Sequence, residues 1–200
     1  LFRSADPSLE EVFFGRQEQL EHCLALLMQG KHVMLSGFAG IGKSALAKSI
    51  VRRFLNGQAK PVLWIGVHDS SLKSIFESIV APLNGRAKIA STDGETTIHT
   101  VRQELVDSEI GLLVIDNLNS LNHLASLRKA IPQGMPLLIT SRKQGTNIDH
   151  CERLSEMNPD SAIEMVSHFA QNDRYGFNDY STSDETRELC DQLDQNPFSL

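Results

Sequence analysis

The chain has 200 residues, which suits one α/β domain or one such domain with a small helical appendage. Hydrophobic residues make up 40% and charged residues 22%, as in ordinary folded proteins, and the net charge of -6 argues against direct nucleic-acid binding by this domain. Three widely spaced cysteines without a CxxC pair indicate a reduced, cytoplasmic protein, and no apolar run is long enough to span a membrane.

Short apolar runs alternate with amphipathic segments along the first three quarters of the chain. Five runs are predicted to be strands: residues 32–36, 61–67, 112–115, 136–140 and, more weakly, 151–154. Helices are predicted before the first strand and between the later ones, with apolar faces within residues 20–28, 46–55, 72–80, 98–106 and 121–127. The polar segment 84–97, which contains glycine, is predicted to be a loop.

This alternation predicts a parallel five-stranded sheet with helices on both faces. From Pro159 the pattern becomes purely helical, with a further helix around Leu189 and Leu193 that is capped by Ser183 or Asp184. We therefore expect an α/β domain over residues 1–155 and the start of a small helical subdomain over 156–200. Because both ends look cut, the sequence is interpreted as a piece of a longer protein.

The segment from Gly37 to Ser44 reads GFAGIGKS and matches the phosphate-binding pattern G-x-x-x-x-G-K-S. Glycines allow backbone N–H groups to curl around a phosphate, and the following helix directs its positive end to the same anion. Lys43 is expected to reach the β- and γ-phosphates of ATP or ADP, and Ser44 to be a Mg²⁺ ligand. The predicted nucleotide-binding residues of this loop are Gly37, Phe38, Ala39, Gly40, Ile41, Gly42, Lys43, Ser44 and Ala45.

A carboxylate follows the third predicted strand. In parallel α/β sheets ligands bind beyond the carboxyl ends of the strands, so Asp116 is predicted to hold Mg²⁺ opposite Ser44. The next residue, Asn117, stands where many ATPases have a second acid that polarises the attacking water. An amide cannot accept a proton in that role, so we expect ATP hydrolysis to be slow.

Several segments, in this order, resemble the NB-ARC branch of the STAND ATPases, a family of signalling P-loop proteins. They are the opening motif Phe13-Phe14-Gly15-Arg16, the phosphate loop, the strand that contains Trp64, the Asp116 strand, Thr140-Ser141-Arg142, and the helical end with Asn196-Pro197-Phe198. The resemblance covers nearly the whole chain. The chain departs from the family pattern at two places. Asn117 replaces the usual second acid, and Gln195-Asn196 stand where glycine usually precedes the proline.

The resemblance implies roles for four further residues. Phe14 and Arg16 would lie at the adenine end of the nucleotide, and Arg142 would sense the γ-phosphate, which makes it a catalytic residue with Lys43 and Asp116. Pro197 would pack on the adenine or ribose. Simpler interpretations remain for each: Phe14 as core, Arg16 as a surface charge, Arg142 as a loop cap bound to a carboxylate, and Pro197 as a helix breaker.

The resemblance favours a switch in which ADP holds a closed state and ATP an open state that oligomerises within the full-length protein. An upstream ligand and a downstream effector would be its partners, with no membrane and no nucleic acid bound by this domain. One alternative is an AAA+ ATPase acting on DNA. The other is a metabolic P-loop kinase, which would need an acceptor-binding lid, and the sequence contains no recognisable one. The seven histidines show no H-x-x-x-H spacing and are interpreted as structural or surface groups.

Overall fold

One parallel sheet of five strands forms the centre of the fold in a computed structural model of the chain. The structure describes residues 14–57, 59–67, 71–83, 94–172, 187, 188, 190 and 192. The strands, in chain order, are β1 Val33–Ser36, β2 Val62–Gly66, β3 Leu112–Asp116, β4 Leu137–Ser141 and β5 His150–Arg153. Their order across the sheet is β2-β3-β4-β1-β5, and every neighbouring pair is parallel. The carboxyl ends of all five strands therefore lie along one edge.

Six described helices accompany the sheet. They are α1 Gln17–Met28, α2 Lys43–Gly57, α3 Leu72–Val80, α4 Gly94–Asp107, α5 Leu124–Ala130 and α6 Pro159–Asn172. A short 3-10 turn, Leu121–His123, leads into α5. None of the described helices has the length and apolar character needed to cross a membrane.

Two hydrophobic layers cover the two faces of the sheet, because alternate residues of a strand point to opposite faces. In β1, Val33 and Leu35 pack with residues of α1 and α2, whereas Met34 packs with residues of α3, α4 and α5. All four residues of β1 are buried. Strands buried on both faces explain the near-continuous apolar runs of the sequence, and the predicted five-stranded parallel α/β fold is confirmed.

The predicted strands agree with the structure to within one residue at each end, which is closer than differences between assignment methods usually are. The loop predicted over 84–97 is wrong at its end, because α4 already begins at Gly94. Glu95 lies in the first turn, where a negative side chain is favoured, and Thr97 of the same turn is buried. Residues 84–93, and most of the helix predicted around Leu189 and Leu193, lie outside the described residues.

Candidate nucleotide-binding site

The phosphate loop connects the carboxyl end of β1 to the first residue of α2. Within it, Gly40 and Gly42 have φ angles of 79° and 91°, which side-chain-bearing residues rarely adopt. Ile41 between them is only 2% exposed and packs into the layer formed by α1 and α2. This apolar anchor holds the loop against the core, so that the loop stands at the amino end of α2, where a helix favours bound anions.

Lys43 is half-buried and folds back over the phosphate loop. Its Nζ donates hydrogen bonds to the carbonyl oxygens of Gly37, at 3.0 Å, and Phe38. Burial lowers the pKa of Lys43; the nearby Arg142 and Arg16 lower it further, and Asp116 opposes them. The positive charges of Lys43, Arg142 and Arg16 therefore repel one another beside the loop, and a bound polyphosphate would offset this repulsion.

The lowered pKa of Lys43 predicts a pH dependence of nucleotide binding. Phosphate attracts the protonated amine, so nucleotide affinity should be full at neutral pH and fall as the pH rises through the pKa of Lys43. This pKa lies below the value of about 10.4 for an ordinary lysine. Since Arg142 lowers this pKa, the Arg142→Gln variant should show the fall at higher pH than the wild type. Calorimetric titration with ADP across an alkaline pH series measures both midpoints.

The matched control for this pH series is Lys60→Gln, which removes a positive charge before β2, at the opposite edge of the sheet. Its midpoint should equal that of the wild type. Equal midpoints in wild type and Arg142→Gln would show that Arg142 does not act on the Lys43 amine. A lower affinity of Arg142→Gln at neutral pH is a separate effect, because it changes the plateau of the curve and not its midpoint.

Asp116 lies at the carboxyl end of β3 and receives two hydroxyl hydrogen bonds. Its Oδ1 accepts from Ser44 Oγ at 2.8 Å and from Thr140 Oγ1 at 2.5 Å. The structure thus brings together the two residues predicted to hold the metal, although 72 positions separate them in the chain. Carboxylate and hydroxyl oxygens are the hard donors that Mg²⁺ takes alongside phosphate oxygens and water, so this pair fits a Mg²⁺–nucleotide site.

Thr140 organises the turn after β3 and was not predicted as a site residue. It is 1% exposed, and its hydroxyl accepts from the backbone N–H of Asn117 at 2.8 Å while donating to Asp116. The signal that could have found it is a hydroxyl residue at the end of an otherwise apolar strand, PLLIT. A buried side chain bonded to both residues fixes the direction of the Asp116 carboxylate.

Asn117 adopts a left-handed backbone conformation, with a φ of 67°. Asparagine tolerates this conformation better than most residues do. Its Nδ2 donates to the carbonyl of Val67 at 3.3 Å, and its Oδ1 accepts from Asn119 at 3.0 Å. The side chain therefore holds the nearby Val67 carbonyl and Asn119 side chain in place. The backbone conformation and these bonds give a structural reason for asparagine at this position, and the loss of a general base is a separate consequence.

Arg16 bridges the phosphate loop and the chain that follows β5. Its guanidinium donates to the carbonyl of Ile41 and to the carbonyl of Ser155, the latter at 2.8 Å. The residue is 5% exposed, and burial lowers its pKa while Glu156 acts in the opposite direction. The interpretation of Arg16 as a solvated surface charge is therefore wrong, and its predicted place at the adenine end stays a prediction.

The described residues of the opening motif beside Arg16 pack near α6. The ring of Phe14 lies 5.4 Å from that of His168 in α6, and Phe14 packs on a small cluster of Met157, Ala162 and Cys190. Phe14 thus has the contacts of a core residue, and a contact with adenine stays a prediction. Phe13 and Pro197 lie outside the described residues.

Arg142 is exposed one residue beyond β4, beside the phosphate loop. It borders a cavity of about 270 Å³ whose walls include Phe38, Arg153 and Glu156. Within the described part of the chain no carboxylate pairs with Arg142, so the interpretation as a carboxylate-bound loop cap finds no support there. Arg142 lines this cavity together with Gly37 and Phe38 of the phosphate loop, and its sensor role stays a prediction.

A glycine-rich loop between a buried strand and a helix, together with an acidic residue at the end of another strand of the same parallel sheet, defines a P-loop ATPase. The sequence model of the family described as novel STAND NTPase 1 (nSTAND1) matches residues 2–171. The chain belongs to this family. The prediction of a STAND-type P-loop ATPase is confirmed, while its placement in the NB-ARC branch stays a prediction.

Solved structures of other P-loop ATPases share this fold at low sequence identity. Cdc6p from Pyrobaculum aerophilum superimposes with a TM-score of 0.63 at 15% identity, over 81% of this chain and 51% of that chain. A Walker-type ATPase of Pyrococcus abyssi gives 0.61 at 14% identity, over 98% and 67%. Domain III of the Thermotoga maritima replication initiation protein DnaA gives 0.57 at 14% identity, over 98% and 82%.

These likenesses show the fold alone, and the chain spans about half the length of the Cdc6p structure. Among curated proteins, no sequence matches the chain significantly.

Proposed function

We propose that this domain is the nucleotide-dependent switch of a STAND signal-transduction ATPase. ADP with Mg²⁺ favours a closed arrangement of the sheet domain and the helical subdomain, and exchange for ATP favours an open one. Such a switch requires that the γ-phosphate bind the two arrangements with different affinity. The boundary between the two parts is taken near residue 155, where the chain leaves the sheet.

The double contact of Arg16 is the observation that carries this proposal. One buried side chain holds the carbonyl of Ile41 in the phosphate loop and the carbonyl of Ser155 at the proposed boundary. A change in the phosphate loop on nucleotide exchange would therefore act directly on the segment that leads into α6. Gly15 and Phe14, next to Arg16, contact the same helix.

Within this proposal, Lys43 and Arg142 bind the β- and γ-phosphates, and Ser44 and Asp116 hold Mg²⁺. Bound Mg²⁺ supplies charge neutralisation for the phosphates. Asn117 provides no general base, because its amide cannot take a proton and its side chain is bonded to Val67 and Asn119. Slow hydrolysis suits a switch, since the ATP-bound state must persist long enough to self-associate and present the effector.

The remaining parts of the proposal concern partners outside this domain. We place the protein in the cytoplasm and in the NB-ARC branch, with an upstream ligand that triggers exchange. Self-association of the full-length protein in the ATP state would then present its effector. Phe38 and Arg142, both exposed beside the cavity at the phosphate loop, lie where a neighbouring subunit could reach the nucleotide.

The nucleotide that co-purifies with the domain, followed by its turnover with Mg²⁺, tests the switch. We expect tightly retained ADP and a turnover well below about one per second, the low end for ordinary enzymes. Rapid exchange with brisk turnover would contradict it. If that turnover is also stimulated by DNA, the result favours an AAA+ ATPase acting on DNA, the alternative against which the net charge of -6 argues.

The Arg16→Gln variant tests the bridge itself. Glutamine is shorter and neutral, so it cannot hold both carbonyls, and hydrogen bonds from charged groups contribute about 1.5–3 kcal/mol each. We expect ADP to dissociate at least about tenfold faster, which corresponds to about 1.4 kcal/mol. Stopped-flow release of a fluorescent ADP analogue measures this rate.

Arg53→Gln is the matched control, because Arg53 makes a largely exposed ion pair with Glu21 between α2 and α1. Such pairs contribute about 0–1 kcal/mol, so ADP release should be unchanged. If Arg16→Gln melts like the wild type yet releases ADP at the wild-type rate, Arg16 does not couple the two parts.

A further inference from the structure

Three side chains with metal-binding atoms meet on the face of the sheet covered by α1, apart from the Ser44–Asp116 pair. They are Cys23 of α1 and the residues His150 and Glu152 of β5. One sulfur, one ring nitrogen and one carboxylate oxygen all lie within 4.8 Å of one another. His150 and Glu152 are two positions apart on a strand, so their side chains point to the same face, toward α1.

The burial of Cys23 argues for a specific environment. The residue is 0% exposed, and its sulfur lies within 4.8 Å of both a ring nitrogen of His150 and a carboxylate oxygen of Glu152. A metal ion deprotonates a coordinating thiol outright and offsets the charge of Glu152, so the same three groups become mutually compatible around an ion.

His150 is already held in place from two sides. Its Nε2 lies 3.0 Å from Glu152 Oε2, and its ring packs edge-on against His22 of α1, with centroids 4.9 Å apart. The simpler interpretation is an ion pair on an edge strand, where charged side chains discourage pairing with other molecules. Cys23 also packs in the apolar layer with Leu20 and Leu27, but neither this packing nor the ion pair requires its sulfur to lie within 4.8 Å of both side chains.

We propose that Cys23, His150 and Glu152 form a Zn²⁺ site that ties α1 to the edge strand β5. Zn²⁺ binds thiolate, imidazole and carboxylate at about 2.0–2.3 Å in tetrahedral geometry, which places ligand atoms about 3.6 Å apart. The three ligand atoms lie within 4.8 Å of one another, so side-chain rotations that move them by about 1 Å would bring them to this separation. Water completes the coordination.

The site would fix α1 to the sheet about two turns after Arg16. Because α1 carries Arg16 at its amino end, a bound ion would limit how far the Arg16 bridge can move. The ion binds only the folded chain, so it should also raise the melting temperature, by an amount that grows with the logarithm of the ion concentration above Kd. Neither consequence depends on the nucleotide-switch proposal.

Cobalt is the probe for the first experiment, since Co²⁺ occupies tetrahedral Zn²⁺ sites and reports a thiolate ligand by a charge-transfer band. Titration of the whole 200-residue chain should give this band with saturation at one equivalent, and Zn²⁺ should displace it. The band should disappear in Cys23→Ser and persist in Cys151→Ser. Cys151 is the matched control, because it lies on β5 between the two proposed ligands and its thiol contacts Ser36 instead.

A second pair of variants keeps the test decisive if Cys23→Ser fails to fold. His150→Ala and Glu152→Gln alter partly exposed side chains and should each weaken Zn²⁺ binding by at least about tenfold, the low end for residues that support a metal site. Competition with a chromophoric chelator measures the affinity, and circular dichroism verifies folding. A wild type without the stoichiometric cobalt band, or equal Zn²⁺ affinity in wild type and both variants, would overturn the proposal.

Discussion

Replacement of Lys43 by alanine should weaken ADP binding by about two orders of magnitude. The Lys43 amine is half-buried, interacts with Arg142 and Arg16, and is held over the phosphate loop by the Gly37 and Phe38 carbonyls. A charged hydrogen bond to a phosphate contributes up to about 3 kcal/mol, which is somewhat more than a hundredfold in affinity. Alanine is a good helix former, so α2 should still begin at this position.

Calorimetric titration of nucleotide-free protein with ADP and Mg²⁺ measures the effect. Lys60→Ala removes the same charge at the far edge of the sheet and should bind ADP like the wild type. The melting temperature without nucleotide should be similar for all three proteins, which separates binding from stability. Wild-type affinity in Lys43→Ala would mean that nucleotide is not held by this loop, and both the assigned site and the switch would fail with it.

Substitution of Gly15 by alanine should destabilise the contact between the opening motif and α6 by about 2–6 kcal/mol. Gly15 has a φ of 70°, and a left-handed conformation costs other residues about 1–3 kcal/mol. A Cβ at this position would lie 2.4 Å from Cβ of Ser161, and such overpacking adds about 1–3 kcal/mol. Chemical denaturation gives the change in the free energy of unfolding, and protease sensitivity of α6 shows where the contact opens.

The double variant Gly15→Ala/Ser161→Gly separates the two causes. Removing the Ser161 side chain relieves the overlap but not the backbone strain, so a double-mutant cycle should give a favourable coupling energy between the two positions. Gly94→Ala is the control, because nothing lies within 4 Å of its added Cβ and its φ is ordinary. A Gly15→Ala protein as stable as Gly94→Ala would show that the opening motif does not pack on α6 as described.

The sequence by itself determined the parts of this protein that short stretches of chain encode. The run GFAGIGKS after an apolar strand and before an amphipathic helix predicted the phosphate loop, because the glycine dihedrals, the anchor at Ile41 and the helix start all lie within eight residues. The apolar strand that ends at Asp116 predicted an acidic group at the ligand edge for the same reason. The family resemblance added the opening motif, the Thr140-Ser141-Arg142 segment and the STAND assignment.

Only the tertiary structure decided which of these pieces meet. The sheet order places β4 beside β3, which brings Thr140 to Asp116 and Asn117. It also places β5 beside β1, under α1, which brings His150 and Glu152 to Cys23. The sequence predicts Arg16 at the adenine end of the nucleotide, with a surface charge as the alternative, but it does not indicate the two carbonyl partners of Arg16, which lie 25 and 139 positions away. Hydrophobic periodicity gives the type of each element but not its neighbours in the sheet, because many strand orders bury the same apolar faces. The polar contacts between elements follow only from the strand order that the chain adopts.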